Sequence, residues 1–361
     1  MDCPSNTKAL LELLNRPAFC IRDGIIVEAN ECALQRFIKI GDRIEDYLLQ
    51  GAEAYQSFTD GCLFMTVGIL DLPYGATVTK LQDCDLFLLE KLADGTRQTL
   101  ALAAQQLRQP LNMLFTISEG LKADLQAQMK HSLNRMHRQI CNMADLVRYD
   151  TKAALFMQPT VLTEVFAEIM KKAAAALRVT KIKLHYTPLS EIVVGMADRN
   201  MLERAVLNMV SNAAKYSNQG DTLHAKLTRS GNILKFTLQD NGEGFPPDVL
   251  DTAFFRYLRE PCIEDGRHGI GLGLALVSSV AFCHGGTVLI NQPKTGGAQV
   301  TMTLTILPCD DATLRSPIQV PTSDYASGHD RSLLELSDVL PSRSYKPKKA
   351  SDPNEDPDSP V

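Results

Sequence analysis

Leucines recur every seventh residue at Leu100, Leu107, Leu114 and Leu121, and Ala104, Leu111, Ser118 and Leu125 fill a second seam. Further on, Leu133, Met136, Ile140, Met143 and Val147 follow alternating steps of three and four. Both spacings put the apolar residues on one face of an α-helix, so residues 91–157 are predicted to form an antiparallel helical hairpin. Such a hairpin cannot cover its own stripe. Pairing two of them into a four-helix bundle does, and a homodimer through residues 96–150 is the expectation. Packing of the hairpin on another part of the same chain is the alternative.

On either side the pattern changes. Residues 9–15, "ALLELLN", read as a short helix, and "AFCIRDGIIVEANECALQRF" gives two short strands around Asp23-Gly24, a tight hairpin signal, followed by a helix. The stretch "GATVTKLQDCDLFLLEKL" reads as a strand passing into a helix, which completes a small α+β module over residues 1–90. Residues 158–308 alternate helices and strands: "LTEVFAEIMKKAAAAL" helical, "KIKLHYT" extended, "DRNMLERAVLNMVSNAAKYS" a long helix, then two β-hairpins. A mixed sheet covered on one face by helices, an α/β sandwich, is the packing this order predicts. Residues 309–361 turn to Pro, Ser and Asp, end in "SDPNEDPDSPV", and read as a solvated tail. Within it only "SLLELSDVL" has the pattern of a short helix able to dock.

Composition narrows the function classes. With 361 residues there is room for two or three domains; 45% of them are hydrophobic, 22% charged, and the net charge is −5. That mild acidity leaves no footprint for nucleic acid or an anionic membrane. No apolar run approaches the ~20 residues of a membrane span. The nine cysteines include no C-x-x-C pair, and the start lacks a signal-peptide layout, so a reducing, cytoplasmic setting is expected.

Three motifs carry candidate chemistry. "NMVSNAAKYS" sets Asn208 and Asn212 four apart on one helix face, with Lys215 on the same side. Asparagine oxygens are hard neutral ligands suited to Mg²⁺, and a lysine there meets a phosphate. "DNGEGF" follows a strand: Asp240 is able to accept from an exocyclic amine, and Gly242 and Gly244 let backbone approach a flat ring. In "GIGLGLALV", Gly269, Gly271 and Gly273 lead into a helix whose N-terminal amides favour phosphate. Taken singly, the first is ordinary helix surface and the second a turn. The third is neither a Walker A loop nor a Rossmann turn.

In this order the three motifs resemble the ATP-binding domain of sensor histidine kinases, a Bergerat-type fold. The resemblance implies ATP with Mg²⁺ as cofactors, Asn212 as the metal ligand and Asp240 as the reader of the adenine amine. Lys215 and Tyr216 fall at family positions beside phosphate and nucleotide, Phe254 matches an aromatic position of the lid, and Arg259 lies where a phosphate-contacting arginine is often found. The glutamate expected after that aromatic residue is Phe255 here. The segment from Phe254 to Arg267 is then the flexible lid. Residues 9–90 resemble a minimal PAS-like sensor; a small dimerising module without ligand fits the same residues.

One departure stands out. The family's hairpin carries a His-Glu-Leu-Arg-Thr-Pro-Leu segment, and here the same frame reads Gln105-Gln106-Leu107-Arg108-Gln109-Pro110-Leu111. A carboxamide nitrogen is delocalised and does not act as a nucleophile at neutral pH, and Gln106 does not replace an acidic general base. Autophosphorylation at the usual place is therefore expected to be absent. His131 and His137 read as ordinary half-buried or solvated residues, and Glu203 is poorly placed to serve as the water-activating base of a gyrase-type ATPase. Three uses remain open: a pseudokinase acting on a response-regulator receiver domain or a partner histidine kinase, a phosphatase using Gln109 to hold water, and a non-enzymatic adaptor. Gln109 as a plain exposed helix residue competes with its phosphatase role.

Overall fold

The computed structural model describes residues 11–12, 14, 16–36, 38–50, 52–59, 61–69, 72–81, 83–91, 95–150, 156–244, 272–293, 296–309 and 330–346. The chain opens with β1 (Ala18–Arg22) and β2 (Ile25–Ala29), joined by the turn at Asp23-Gly24. Both turn residues have positive φ, 52° and 78°, which is why a small polar residue and a glycine stand there. Asn30 then caps α1 (Glu31–Leu34). Its Oδ1 accepts from the amides of Ala33 and Ala18, while its Nδ2 donates to the carbonyls of Leu11, Leu14 and Arg16. One buried amide thus ties the entry segment to the module.

After β3 (Leu48–Gln50) and α2 (Ala52–Gln56) comes a meander of β4 (Cys62–Ile69), β5 (Leu72–Lys80) and β6 (Asp85–Lys91). The last is a correction to the sequence reading, which had a helix there. Phe87, Leu88 and Leu89 are consecutive and all buried, because β6 lies between β1 and β5 and is covered on both faces. An unbroken apolar run of this kind has no period by which to tell strand from helix.

Two long helices follow, α3 (Gly95–Ser118), which runs through Pro110, and α4 (Ala123–Asp150). They pack on each other through Ala104, Leu111, Phe115, Leu133 and Ile140. Only one of the two seams on α3 is used in this way. Leu107, Met113, Leu114, Ile117, Leu121 and Leu125 stay exposed.

The remainder comprises β7 (Gln158–Val161), α5 (Leu162–Leu177), β8 (Lys183–Thr187), β9 (Val194–Ala197), α6 (Arg199–Lys215), β10 (Thr222–Ser230), β11 (Ile233–Gln239), α7 (Leu272–Cys283), β12 (Val288–Asn291) and β13 (Gln299–Thr305). α5 has the bounds its pattern predicts, and α6 falls one residue short at its start and two at its end of the predicted 198–217. Asp198 caps α6 by accepting from the amides of Asn200 and Met201. The Phe166 and Phe236 rings stack 5.1 Å apart between α5 and the sheet. β8 pairs with β10 in parallel and the other pairs are antiparallel, so the sheet is mixed, as expected.

The sequence did not show that this sheet continues into the N-terminal module. The order is β2-β1-β6-β5-β4-β12-β13-β11-β10-β8, with β3 added on β4. The junction consists of three antiparallel pairs, Phe64 with Val288, Leu63 with Leu289 and Cys62 with Ile290. Gly61 permits it: its φ is +95°, and a Cβ there would lie 2.1 Å from the Ile290 carbonyl oxygen. Gly61→Ala should therefore cost about 1–3 kcal/mol. It should also speed amide exchange at 62–64 and 288–290 selectively; unchanged exchange there would refute the assigned junction.

A second correction concerns the tail. Residues 330–346 are folded, with α8 (Arg331–Glu335) followed by a 3-10 turn (Ser342–Tyr345). Leu336, Leu340 and Tyr345 enter the same core as α5, α6 and α7. Too few apolar residues lie in this stretch to form a core of their own, but they are enough to complete an existing one. Among the described residues, no helix is long and apolar enough to cross a membrane.

Candidate functional site

The described motif residues lie close together, with Gly242 against Tyr216 and Gly273 against Asn208 and Asn212. Asp240 follows β11 and is buried, and its Oδ1 accepts from the amides of Gly242 at 3.0 Å and Ala298 at 2.9 Å. Its own amide donates to the Ala298 carbonyl at 3.0 Å. This leaves Oδ2 as the second oxygen of a fixed carboxylate. Burial pushes its pKa above the ordinary 3.8, and the two amide donors oppose that shift.

The glycines around Asp240 serve close packing. A Cβ on Gly242 would lie 2.3 Å from the Tyr216 carbonyl oxygen, at the C-terminus of α6. Gly244 and Gly297 both have positive φ; a Cβ on Gly297 would come within 2.0 Å of the Asp240 carbonyl oxygen. Gly297 and Ala298 were missed in the sequence, where "TGGAQ" read only as a hairpin turn. Their signal was the doubled glycine immediately before a strand.

On α6, Asn208 and Asn212 both face Gly273 near the start of α7. A Cβ on that glycine would lie 3.3 Å from Asn212 Nδ2, 3.5 Å from Asn212 Oδ1 and 3.4 Å from Asn208 Oδ1. The third glycine of its motif thus lets the helix approach the asparagine pair. Asn212 is half-buried and Asn208 fully buried. The two differ in what they bind. Asn208 donates one amide hydrogen to the Arg204 carbonyl at 2.9 Å and the other to Glu335 Oε2 at 3.0 Å, while its oxygen accepts from Arg138 at 2.9 Å. As a nucleotide ligand Asn208 is thus already engaged in this conformation. Asn212 presents a neutral amide oxygen beside that glycine, a donor type suited to Mg²⁺.

Lys215 and Tyr216 end the helix, with the ammonium 5.9 Å from the Tyr216 ring centroid. Lys215 also lines a cleft of about 600 Å³ between α4, α6 and residues 338–343. Gly269, Gly271, Phe254, Phe255 and Arg259, and with them the expected lid, lie outside the described residues.

On the hairpin, Gln105, Gln106 and Gln109 are all exposed on α3. The histidines behave as structural residues. His137 is buried, with its ring edge-on to Phe115 at 6.0 Å, and His131 Nε2 lies 2.9 Å from the Ser337 carbonyl oxygen. Glu203 is bonded to Arg331 at 2.6 Å and also faces Lys172. Those contacts hold it as an ion-pair partner.

The family model described as histidine kinase-, DNA gyrase B-, and HSP90-like ATPase matches residues 197–308. The chain is similar to the sensor protein KdpD of Clostridium acetobutylicum, 29% identical over 184 residues that make up 50% of this chain and 20% of that protein. It is also similar to the signal transduction histidine-protein kinase/phosphatase MprB of Mycolicibacterium vanbaalenii, 28% identical over 239 residues, 61% of this chain and 48% of that protein. Among solved structures, a mycobacterial sensor histidine kinase MprB matches at 27% identity with a TM-score of 0.35, covering 42% of this chain and 99% of that one. The chain thus spans between 20% and 48% of the length of these two curated relatives. Residues 197–308 thus form a histidine kinase-, DNA gyrase B-, and HSP90-like ATPase domain, and the chain is similar to sensor histidine kinases.

Proposed function

We propose that this protein is a cytoplasmic pseudokinase of two-component signalling, which binds Mg-ATP and regulates a response regulator or a partner histidine kinase without phosphorylating itself on the hairpin. The observation that carries this reading is a contrast within one chain. The buried carboxylate of Asp240 and the amide oxygen of Asn212 beside Gly273 fit a nucleotide and its metal, whereas the exposed face of α3 offers carboxamides at Gln105 and Gln106. Adenine is read by the second oxygen of Asp240, and Mg²⁺ by the Asn212 oxygen, with Lys215 and Tyr216 alongside. Arg259, Gly269 and Gly271 belong to the same reading as phosphate-side residues.

The exposed stripe of Leu107, Leu114, Met113 and Ile117 on α3 supports a homodimer closed as a four-helix bundle, since a second hairpin of the same pattern covers it. The antiparallel sheet formed by β4, β5, β6 and the β1–β2 hairpin supports the PAS-like reading of the N-terminal module. A second reading, phosphatase action on a phosphorylated receiver domain, rests on the exposure of Gln109 beside Pro110, where a carboxamide is able to orient water.

Labelled ATP distinguishes these readings. Incubation of the purified chain should leave α3 unlabelled while nucleotide binding is retained. Acid-labile phosphate mapped to residues 95–118 would overturn the pseudokinase. Faster dephosphorylation of an added receiver, lost in Gln109→Ala, would select the phosphatase instead.

A further inference from the structure

Among the described residues, the two most deeply buried cations both bind the C-terminal segment. Arg138 on α4 and Arg204 on α6 are 3% and 1% exposed. Arg204 donates through Nε to Glu335 at 3.0 Å and through Nη2 to Asn142 at 2.7 Å, and it pairs with Asp145 of the hairpin. Arg138 pairs with Asp338 at 2.5 Å and with Glu335 at 3.4 Å. Glu335, which has no exposed surface, therefore lies between the hairpin and the ATP-binding domain and takes a guanidinium from each. Around it, Arg135 reaches Asp338 at 3.2 Å, His131 reaches the Ser337 carbonyl, and Lys346 reaches Asp124 at 2.8 Å.

We infer that residues 330–346 are a releasable strap that locks the ATP-binding domain onto hairpin helix α4, with Glu335 and Asp338 supplying the negative charge that allows Arg138 and Arg204 to be buried. Both carboxylates paired with Arg138 belong to the strap, and so does one of the two paired with Arg204. Without the strap, the α4–α6 contact would bury two guanidiniums facing Asp145. An uncompensated buried charge is strongly unfavourable, so the contact opens when the strap leaves. The strap in turn holds no structure of its own, because a five-residue helix does not persist in water unless docked. Strap docking and interdomain docking are thus one event. The lock needs no nucleotide, so it stands or falls separately from the ATP reading.

Native-state hydrogen exchange on the full chain tests this. In the unaltered protein, residues 331–346 should exchange through an opening of their own, ahead of β10, β11 and β13. Asp338→Asn should speed that exchange by about tenfold, with residues 131–145 of α4 following and the sheet unchanged. Glu335→Gln combined with Asp338→Asn should extend the effect; if that pair does not fold, Asp338→Asn alone gives the answer. Strap amides that exchange only together with the sheet would overturn the lock, by making the segment permanent core. So would a strap that loosens while α4 stays protected.

Discussion

Arg204→Ala should destabilise the protein by about 3–5 kcal/mol, the largest effect expected of any single side chain described above. The mutation takes from buried Asp145 the guanidinium that neutralises it, leaves buried Glu335 with Arg138 alone, and deprives Asn142 of its donor. Lysine does not rescue this site, because a point ammonium cannot serve three partners in one plane. An apolar double replacement, Arg204→Met with Glu335→Leu, should recover much of the loss, since it removes charge from both sides of the pair. Chemical denaturation of the four proteins measures the cycle. A cost below 1 kcal/mol for Arg204→Ala would mean that water reaches the network and that the interface is not closed as described.

Asp240→Asn should weaken ATP binding by roughly 30- to 150-fold, corresponding to about 2–3 kcal/mol for a lost hydrogen bond to a charged acceptor. Asparagine keeps one oxygen for the amides of Gly242 and Ala298, and so preserves the local fold. It then presents an N–H to the adenine amine, donor against donor. Titration calorimetry at several pH values adds a signature. The raised pKa means that Asp240 takes up its proton at a pH above 3.8, so affinity should fall as acidification enters that range. Its contribution to folding stability has the opposite sign: a carboxyl whose folded pKa is raised favours the folded state when protonated, and that contribution is lost as pH rises through the folded value. The variant should show neither dependence. Equal affinity in the two proteins would remove Asp240 from the nucleotide site.

Helix α5 was legible from its apolar period alone, since Val161 offers no side-chain cap, whereas in α6 two independent signals coincide. α6 has both an Asp198 cap and a periodic apolar face. The nucleotide motifs were legible because glycines and asparagines occur at fixed offsets within short stretches. Three other features were not legible. β6 carries no period because both of its faces are covered. The Asp240 carboxylate is closed by Gly297 and Ala298, almost sixty residues away, and no local pattern announces that pairing. The strap looks solvated because Glu335 and Asp338 read as surface charges unless Arg138 and Arg204 are known to stand opposite them. Charges that neutralise each other across 131 and 200 residues leave no trace in either stretch alone.

The seam at Gly61 has a consequence for how the two halves relate. Strand pairing across β4 and β12 is carried by main-chain groups, which every sequence possesses, so the joint depends on shape and register rather than on particular side chains. Twist imposed on one end of such a plate is felt along its whole width, including the rim where Asp240 is held. A distortion of the N-terminal module therefore has a direct backbone path to Asp240, separate from helices α3 and α4.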